Sequence, residues 1–94
     1  MTGFEWDPAK NASNLQKHGL SFEEAAAIFE GPVLSGPDYS TDEPREKSFG
    51  LLGGVVVVCV IHTDRGGKIR IISARKATAN ERKHFNAYLK KALS

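Results

Sequence analysis

A single cysteine, Cys59, leaves this chain unable to form an intramolecular disulfide, which fits a reducing compartment. It lies inside the run VVVVCVI, so it reads as a small buried apolar residue rather than a nucleophile, because an apolar setting raises a thiol's pKa. Metal motifs are missing as well. His18, His62 and His84 stand far apart and lack ligand-like spacing. No GxxxxGKS/T and no GxGxxG occurs, which removes the common phosphate-loop routes to nucleotide binding. Ser73 has no nucleophile-elbow context. No apolar run approaches the ~20 residues of a membrane span, and MTGFEWDP lacks a basic, apolar secretory pattern. The expectation is a cytoplasmic protein with no metal, no cofactor and no membrane contact.

What is present is one domain, residues 1–94, of a size that buries about 60–65% of its unfolded surface. Its net charge of +2 is unevenly spread. Residues 1–46 carry three cations against nine acids, and residues 47–94 carry ten cations against two acids. The C-terminal half therefore suits an anionic partner. The plainer reading is that the two halves attract each other in the fold.

Local signals give an order of elements. Gly3–Trp6 reads as a short strand. Asp7 as N-cap and Pro8 as the first helical residue open a helix that Gly19 ends. Ala9, Ala12 and Leu15 are expected to be its apolar stripe. Ser21 and Glu24 make a capping box for a second helix, with Phe22, Ala25, Ala26 and Phe29 on one face. Val33–Tyr39 reads as a strand interrupted at Gly36-Pro37. In Arg45–Leu52, alternation puts Arg45, Lys47, Phe49 and Leu51 on one face. Gly53-Gly54 signals a hairpin, Val55–Thr63 a strand buried on both faces, and Asp64–Gly67 a second tight turn. Lys68–Arg75 is the next strand. Thr78 and Glu81 form another capping box, opening a helix with Phe85, Tyr88, Leu89 and Ala92 as its stripe. The fold class is α+β: a small antiparallel meander sheet packed with two N-terminal helices and one C-terminal helix.

The remaining chemistry is cationic. Arg45, Lys47, His62, Arg70 and Arg75 lie on three successive strands, and antiparallel pairing brings several of them onto one sheet surface. RNA is cleaved without metal when its 2′-OH attacks the adjacent phosphate. That reaction needs a base, an acid and cations for the phosphorane. Arginine suits the last role through its permanently charged fork, and histidine suits proton transfer. His62 is accordingly the candidate for proton transfer, and Arg45, Arg70 and Arg75 for phosphate stabilisation. Lys47, Lys68, Lys76 and Arg82 are the candidate RNA-binding cations. Each has a plain structural reading: His62 a hydrogen-bonded residue at the end of a buried strand, Arg70 paired with an acid of the N-terminal half, Arg75 and Lys76 at a solvated strand end, Glu81 a capping residue, Trp6 a core residue, Lys17-His18 a helix C-terminus.

The segments EWDPAKNASNLQKHGLSFEEAAAIF, DEPREKSFG and HTDRGGKIRIISARKATANER strongly resemble the BrnT family of bacterial toxins, from about Phe4 to Tyr88. The resemblance implies a RelE-like fold and a metal-independent endoribonuclease that inhibits translation. It also implies a BrnA-like antitoxin with a ribbon-helix-helix region, through which alone DNA would be contacted. By motif position, Arg45, His62, Arg70, Ser73, Arg75, Glu81 and Arg82 match the family. Phe85 stands where the family often has tyrosine, and the loop at Gly53-Gly54 is short. The rival expectation is a non-catalytic partner that acts as co-repressor with such an antitoxin.

Overall fold

The computed structural model describes residues 3–93. In chain order it has β1 (Gly3–Glu5), α1 (Pro8–His18) and α2 (Phe22–Ala26) running into a 3-10 turn (Ala27–Glu30). Then follow β2 (Leu34–Asp38), β3 (Arg45–Leu52), β4 (Val56–Arg65), β5 (Lys68–Lys76) and α3 (Ala79–Ala92). The helix starts are made by local chemistry. Asp7 accepts the Ala9 N–H at 2.9 Å, and the capping boxes of Ser21 with Glu24 and Thr78 with Glu81 are both complete. Such caps satisfy N–H groups that the first helical turn leaves free.

One five-stranded sheet runs in the order β1-β5-β4-β3-β2. Strands β2 to β5 form the expected antiparallel meander. The sheet is not wholly antiparallel, however: β1 pairs parallel to β5, from Gly3 opposite Lys68 to Glu5 opposite Arg70. Hairpins fix the direction of β2–β5, whereas β1 is joined to its neighbour through the whole intervening chain. Its direction follows from Phe4 packing into the core beside Ile69. β2 also runs unbroken through Gly36-Pro37. It is an edge strand, where a missing N–H costs no ladder bond on the open side.

The helices divide between the two faces. One face of the sheet, with Val58, Val60, Ile71 and Ala74, packs under Phe22, Ala25 and Ile28. On the other, Phe85 of α3 packs on Val57 and Ala77, flanked by Phe49, Leu51, Tyr88 and Leu89. Phe85 is fully buried, so an aromatic ring fills this core without needing a hydroxyl. Cys59 is fully buried, and burial pushes its thiol up to about 11. Trp6 is half-buried and meets Phe22 edge-on at 6.2 Å.

Two details of the helices depart from the sequence reading. The second stripe does not continue as one α-helix. After Ala26 the chain tightens into a 3-10 turn, which buries Ile28 instead of leaving that place to Phe29 alone. In α1, Ala9, Ala12 and Leu15 are exposed, Leu15 by 48%. The buried residue is Asn14. Its amide donates to the Leu20 and Ala74 carbonyls, both at 2.8 Å, and accepts the Ala74 N–H at 3.2 Å. β1 covers β5 only as far as Arg70. Beyond that point Asn14 takes the place of a strand at the edge, so a polar clamp positions the helix.

Candidate active site

Register decides which cations meet. Residues opposite one another on neighbouring strands share a face. On the face away from α1 and α2, Arg45 lies opposite Asp38 on one side. On its other side the β3–β4 pairing ends at Glu46 opposite His62; extended by one residue, the rung of Arg45 leads to Thr63, which pairs with Arg70, and then to Glu5. The next rung holds Lys47, Ile61 and Ser73, and the one after it Phe49, Cys59 and Arg75. Arg45, Lys47, Arg70 and Arg75 therefore share one surface, around Ile61 and Thr63.

A β-bulge makes this possible. Arg70 and Arg75 are five residues apart, so in a regular strand they would point to opposite faces. The register shifts between Ile61 and His62, which leaves Ile72 as an extra residue of β5. Bulges re-aim side chains in this way.

Three of the four cations hold a carboxylate. Arg45 Nη2 donates to Glu43 at 2.8 Å, while its buried Nε has no partner among the described residues. Arg70 Nη1 donates to Glu5 at 3.0 Å, which is the pairing with an N-terminal acid that the sequence allowed. The fork of Arg75 grips Glu81 with bonds of 2.7 and 3.0 Å. That grip pulls the Glu81 carboxyl down to about 2 and raises Arg75 further. Lys47 has no carboxylate within salt-bridge distance among the described residues.

Asp38 was missed by the sequence reading, which placed it in the Val33–Tyr39 strand and gave it no role. It is buried at the end of β2. The Ser40 hydroxyl, bonded at 2.8 Å, holds its carboxyl below the ordinary value, with help from the charges of Lys47 and Arg45. Glu81, read as a capping residue, is also an arm of the cationic face. Only the register could have shown either.

His62 does not join this surface: the structure places the expected proton-transfer histidine on the opposite face from the arginines. It lies opposite Glu46, on the face covered by α2 and its 3-10 turn. It is buried, its ring meets Phe29 edge-on at 5.3 Å, and Nε2 is 2.7 Å from the Ser48 hydroxyl. Burial lowers its pKa, against the opposing pull of Glu46 and Asp64. Consecutive strand residues alternate faces, so an even-numbered residue of β4 cannot stand beside Thr63 and Ile61. Lys76 likewise pairs with Val58 on the helix-covered side. Lys68 shares the parity of Arg70 but sits exposed at the start of β5, beside the Gly66-Gly67 turn. Arg82 is exposed on the first turn of α3 and donates to the Ala77 carbonyl at 3.2 Å.

Among the described residues, no three His, Cys, Asp or Glu side chains converge as metal ligands do, and no helix is long and apolar enough to cross a membrane. The face offers instead a charged bed for an anion, with two ionised carboxylates at its margin.

Comparison with known proteins agrees with this picture. The chain's structure is similar to the crystal structure of the Brucella abortus ribonuclease toxin BrnT, with a TM-score of 0.69 and 26% identity. The match covers 83% of this chain and 99% of the Brucella chain. Among curated proteins none matches. The sequence profile described as "Ribonuclease toxin, BrnT, of type II toxin-antitoxin system" matches residues 6–81. On that match, which spans the capped helices, the cationic strands and Glu81, the chain belongs to the BrnT family of ribonuclease toxins of type II toxin–antitoxin systems.

Proposed function

We propose that this toxin is a metal-independent endoribonuclease whose site is the open part of the sheet face on which α3 also packs. The observation that carries the reading is the convergence of Arg45, Lys47, Arg70 and Arg75 on that face. Adjacent strands lie roughly 4.8 Å apart, so Arg45 and Arg70, separated by the Thr63 strand, straddle a gap of about 10 Å. A phosphodiester placed over Thr63 and Ile61 meets an arginine on either side and Lys47 in the next rung. The 2′-OH attacks phosphorus and gives up its proton, the bond to the 5′-oxygen breaks, the departing 5′-oxygen takes a proton from water, and the products are a 2′,3′-cyclic phosphate and a 5′-OH. Fixed cations aimed at the phosphorane stabilise its added charge without reorganising. Asp38 and Glu81 are the carboxylates available to accept the 2′-OH proton. Their depressed pKa values make them weak bases, so the cations carry most of the rate. RelE-like architecture, inhibition of translation through RNA cleavage and neutralisation by a BrnA-like antitoxin belong to the same reading.

The missing histidine favours one rival, a non-catalytic co-repressor whose basic face only binds. Incubation of the purified chain with end-labelled RNA in EDTA separates the two. Wild type is expected to cut, and Lys47→Ala, which breaks no ion pair of the described residues, to cut roughly 100-fold more slowly with unchanged circular dichroism. A folded, antitoxin-free wild type that leaves RNA intact would overturn the ribonuclease reading in favour of the rival.

A further inference from the structure

Helix α1 meets the sheet with cations. Lys10, Asn14 and Lys17 fall at i, i+4 and i+7, along one side of the helix. Asn14, in their middle, is bonded to Ala74 of β5. This clamp fixes the two lysines on the side of α1 that faces β5. A groove of about 180 Å³ lies there, lined by Lys10, Ser13, Lys17 and His18 of the helix and by Ile72 and Ser73 of the strand.

The stripe that a surface helix turns to its sheet is ordinarily apolar. Here it holds two lysines, with no carboxylate within salt-bridge distance among the described residues. α1 itself carries no acid at all. Lys17 stands in the last turn of α1, where a cation complements the helix dipole, but no packing calls for Lys10 beside it, because Asn14 alone makes the clamp. One residue links the groove to the candidate active site. Ser73 lines it, and Ser73 shares a rung with Ile61 and Lys47. The extra residue Ile72 displaces β5 at this point.

We propose that this groove is a second phosphate subsite, which holds the RNA backbone next to the phosphodiester being cut. The proposal rests on the ribonuclease reading of the open face and names its substrate more closely: single-stranded RNA long enough to pass over the edge of β5. Lysine ammonium groups bind phosphate as point charges, and serine hydroxyls donate to phosphate oxygens. No Phe, Tyr or Trp lines the groove, and His18 is its one ring. The subsite therefore reads backbone and not sequence.

The test is binding of a fluorescent 12-nucleotide RNA carrying 2′-O-methyl groups, which lacks the attacking hydroxyl. Anisotropy gives log K against log salt for wild type, for Lys10→Ala/Lys17→Ala, and for Lys83→Ala/Lys90→Ala as a charge-matched control on α3. At about 0.7 per phosphate contact on a single strand, the groove variant is expected to lower the slope by about 1.4. The control keeps the wild-type slope, and Lys10→Arg/Lys17→Arg restores it. Equal slopes for wild type and groove variant, or equal losses in both alanine pairs, would overturn the subsite. The probe cannot be cut, so the readout is independent of catalysis. A lost slope in a chain that cleaves no natural RNA sinks only the ribonuclease reading. Cleavage with an unchanged slope sinks only the subsite.

Discussion

Glu81 shows how one side chain can serve the fold and the site together. Its carboxylate closes the capping box of α3 through the Thr78 N–H at 2.8 Å and holds the fork of Arg75 at 2.7 Å. Both contacts favour the ionised form, and its pKa falls from 4.5 to about 2. A carboxyl whose folded pKa is depressed stabilises the protein above its unfolded pKa and loses that contribution as pH falls through the folded one. The stability is thus fully present above about pH 4.5 and fades toward pH 2. Glu81→Gln is expected to cost roughly 1–3 kcal/mol at pH 7, from the cap and the charged hydrogen bonds together. The variant should also lose less stability than wild type between pH 4.5 and pH 2. Urea unfolding at several pH values checks both, and superimposable curves for the two proteins would mean that the contact is not made in solution. Gly50 is a second informative residue. A Cβ there would come within 2.8 Å of Ile28 Cβ and 3.3 Å of the Ile28 carbonyl. Gly50→Ala should destabilise by about 1–3 kcal/mol, as overpacking does, through displacement of the 3-10 turn. A melting temperature equal to wild type would show that the turn yields freely.

At the scale of elements, what the sequence showed and what it hid have a common cause. Caps, hairpins and strand runs are local. Ser21 with Glu24, Thr78 with Glu81 and the paired glycines Gly66-Gly67, with φ of 56° and 85°, act within four residues of where they stand. They were legible for that reason. The parallel pairing of β1 and the clamp of Asn14 on Ala74 depend on partners sixty or so residues away, and the bulge at Ile72 on an irregular register with the neighbouring strand; no periodicity announces any of them. The site inherits this division. Arg45 and Lys47 share a face by simple alternation, which the sequence gives directly. Arg70 joins Arg75 only through the bulge, and His62 leaves the set because its parity within β4 is even. Asn14 offers the sharpest test of the hidden part. Asn14→Ala removes all the hydrogen bonds that tie α1 to Leu20 and Ala74. It leaves a buried N–H and carbonyls unpaired, at an expected cost of about 2–4 kcal/mol. Denaturant unfolding gives the value, and Asn14→Leu should be no milder even though leucine is the better helix former. A leucine variant as stable as wild type would show that apolar packing, and not the clamp, holds α1.

Across the whole molecule, the sheet acts as a partition. One side carries the cationic bed. The other side, under Phe29, carries a cavity of about 410 Å³ in which His62 meets Ser48 between Glu46 and Asp64. The uneven charge of the two chain halves is resolved in part by Arg70 reaching Glu5 across the β1–β5 junction, and part of the remaining positive charge, Lys47 among it, lies on the cationic face. Because no histidine projects from the strands there, the two faces should respond to pH in different ways. Burial lowers the His62 pKa below its ordinary 6.5. Below pH 6.5 the unfolded chain then binds a proton that the folded chain refuses, so stability falls as pH drops from 6.5 toward the lowered folded value. His62→Gln removes that term and should flatten the stability profile in this window. In the proposed reaction, cleavage depends on groups of the opposite face. The rate of His62→Gln on labelled RNA should therefore stay within a few-fold of wild type, and the wild-type rate should show no histidine inflection between about pH 6 and 8. A 100-fold loss of rate in a folded His62→Gln protein, or a bell-shaped profile centred in that range, would place the proton transfer on the helix-covered side and move the active site through the sheet.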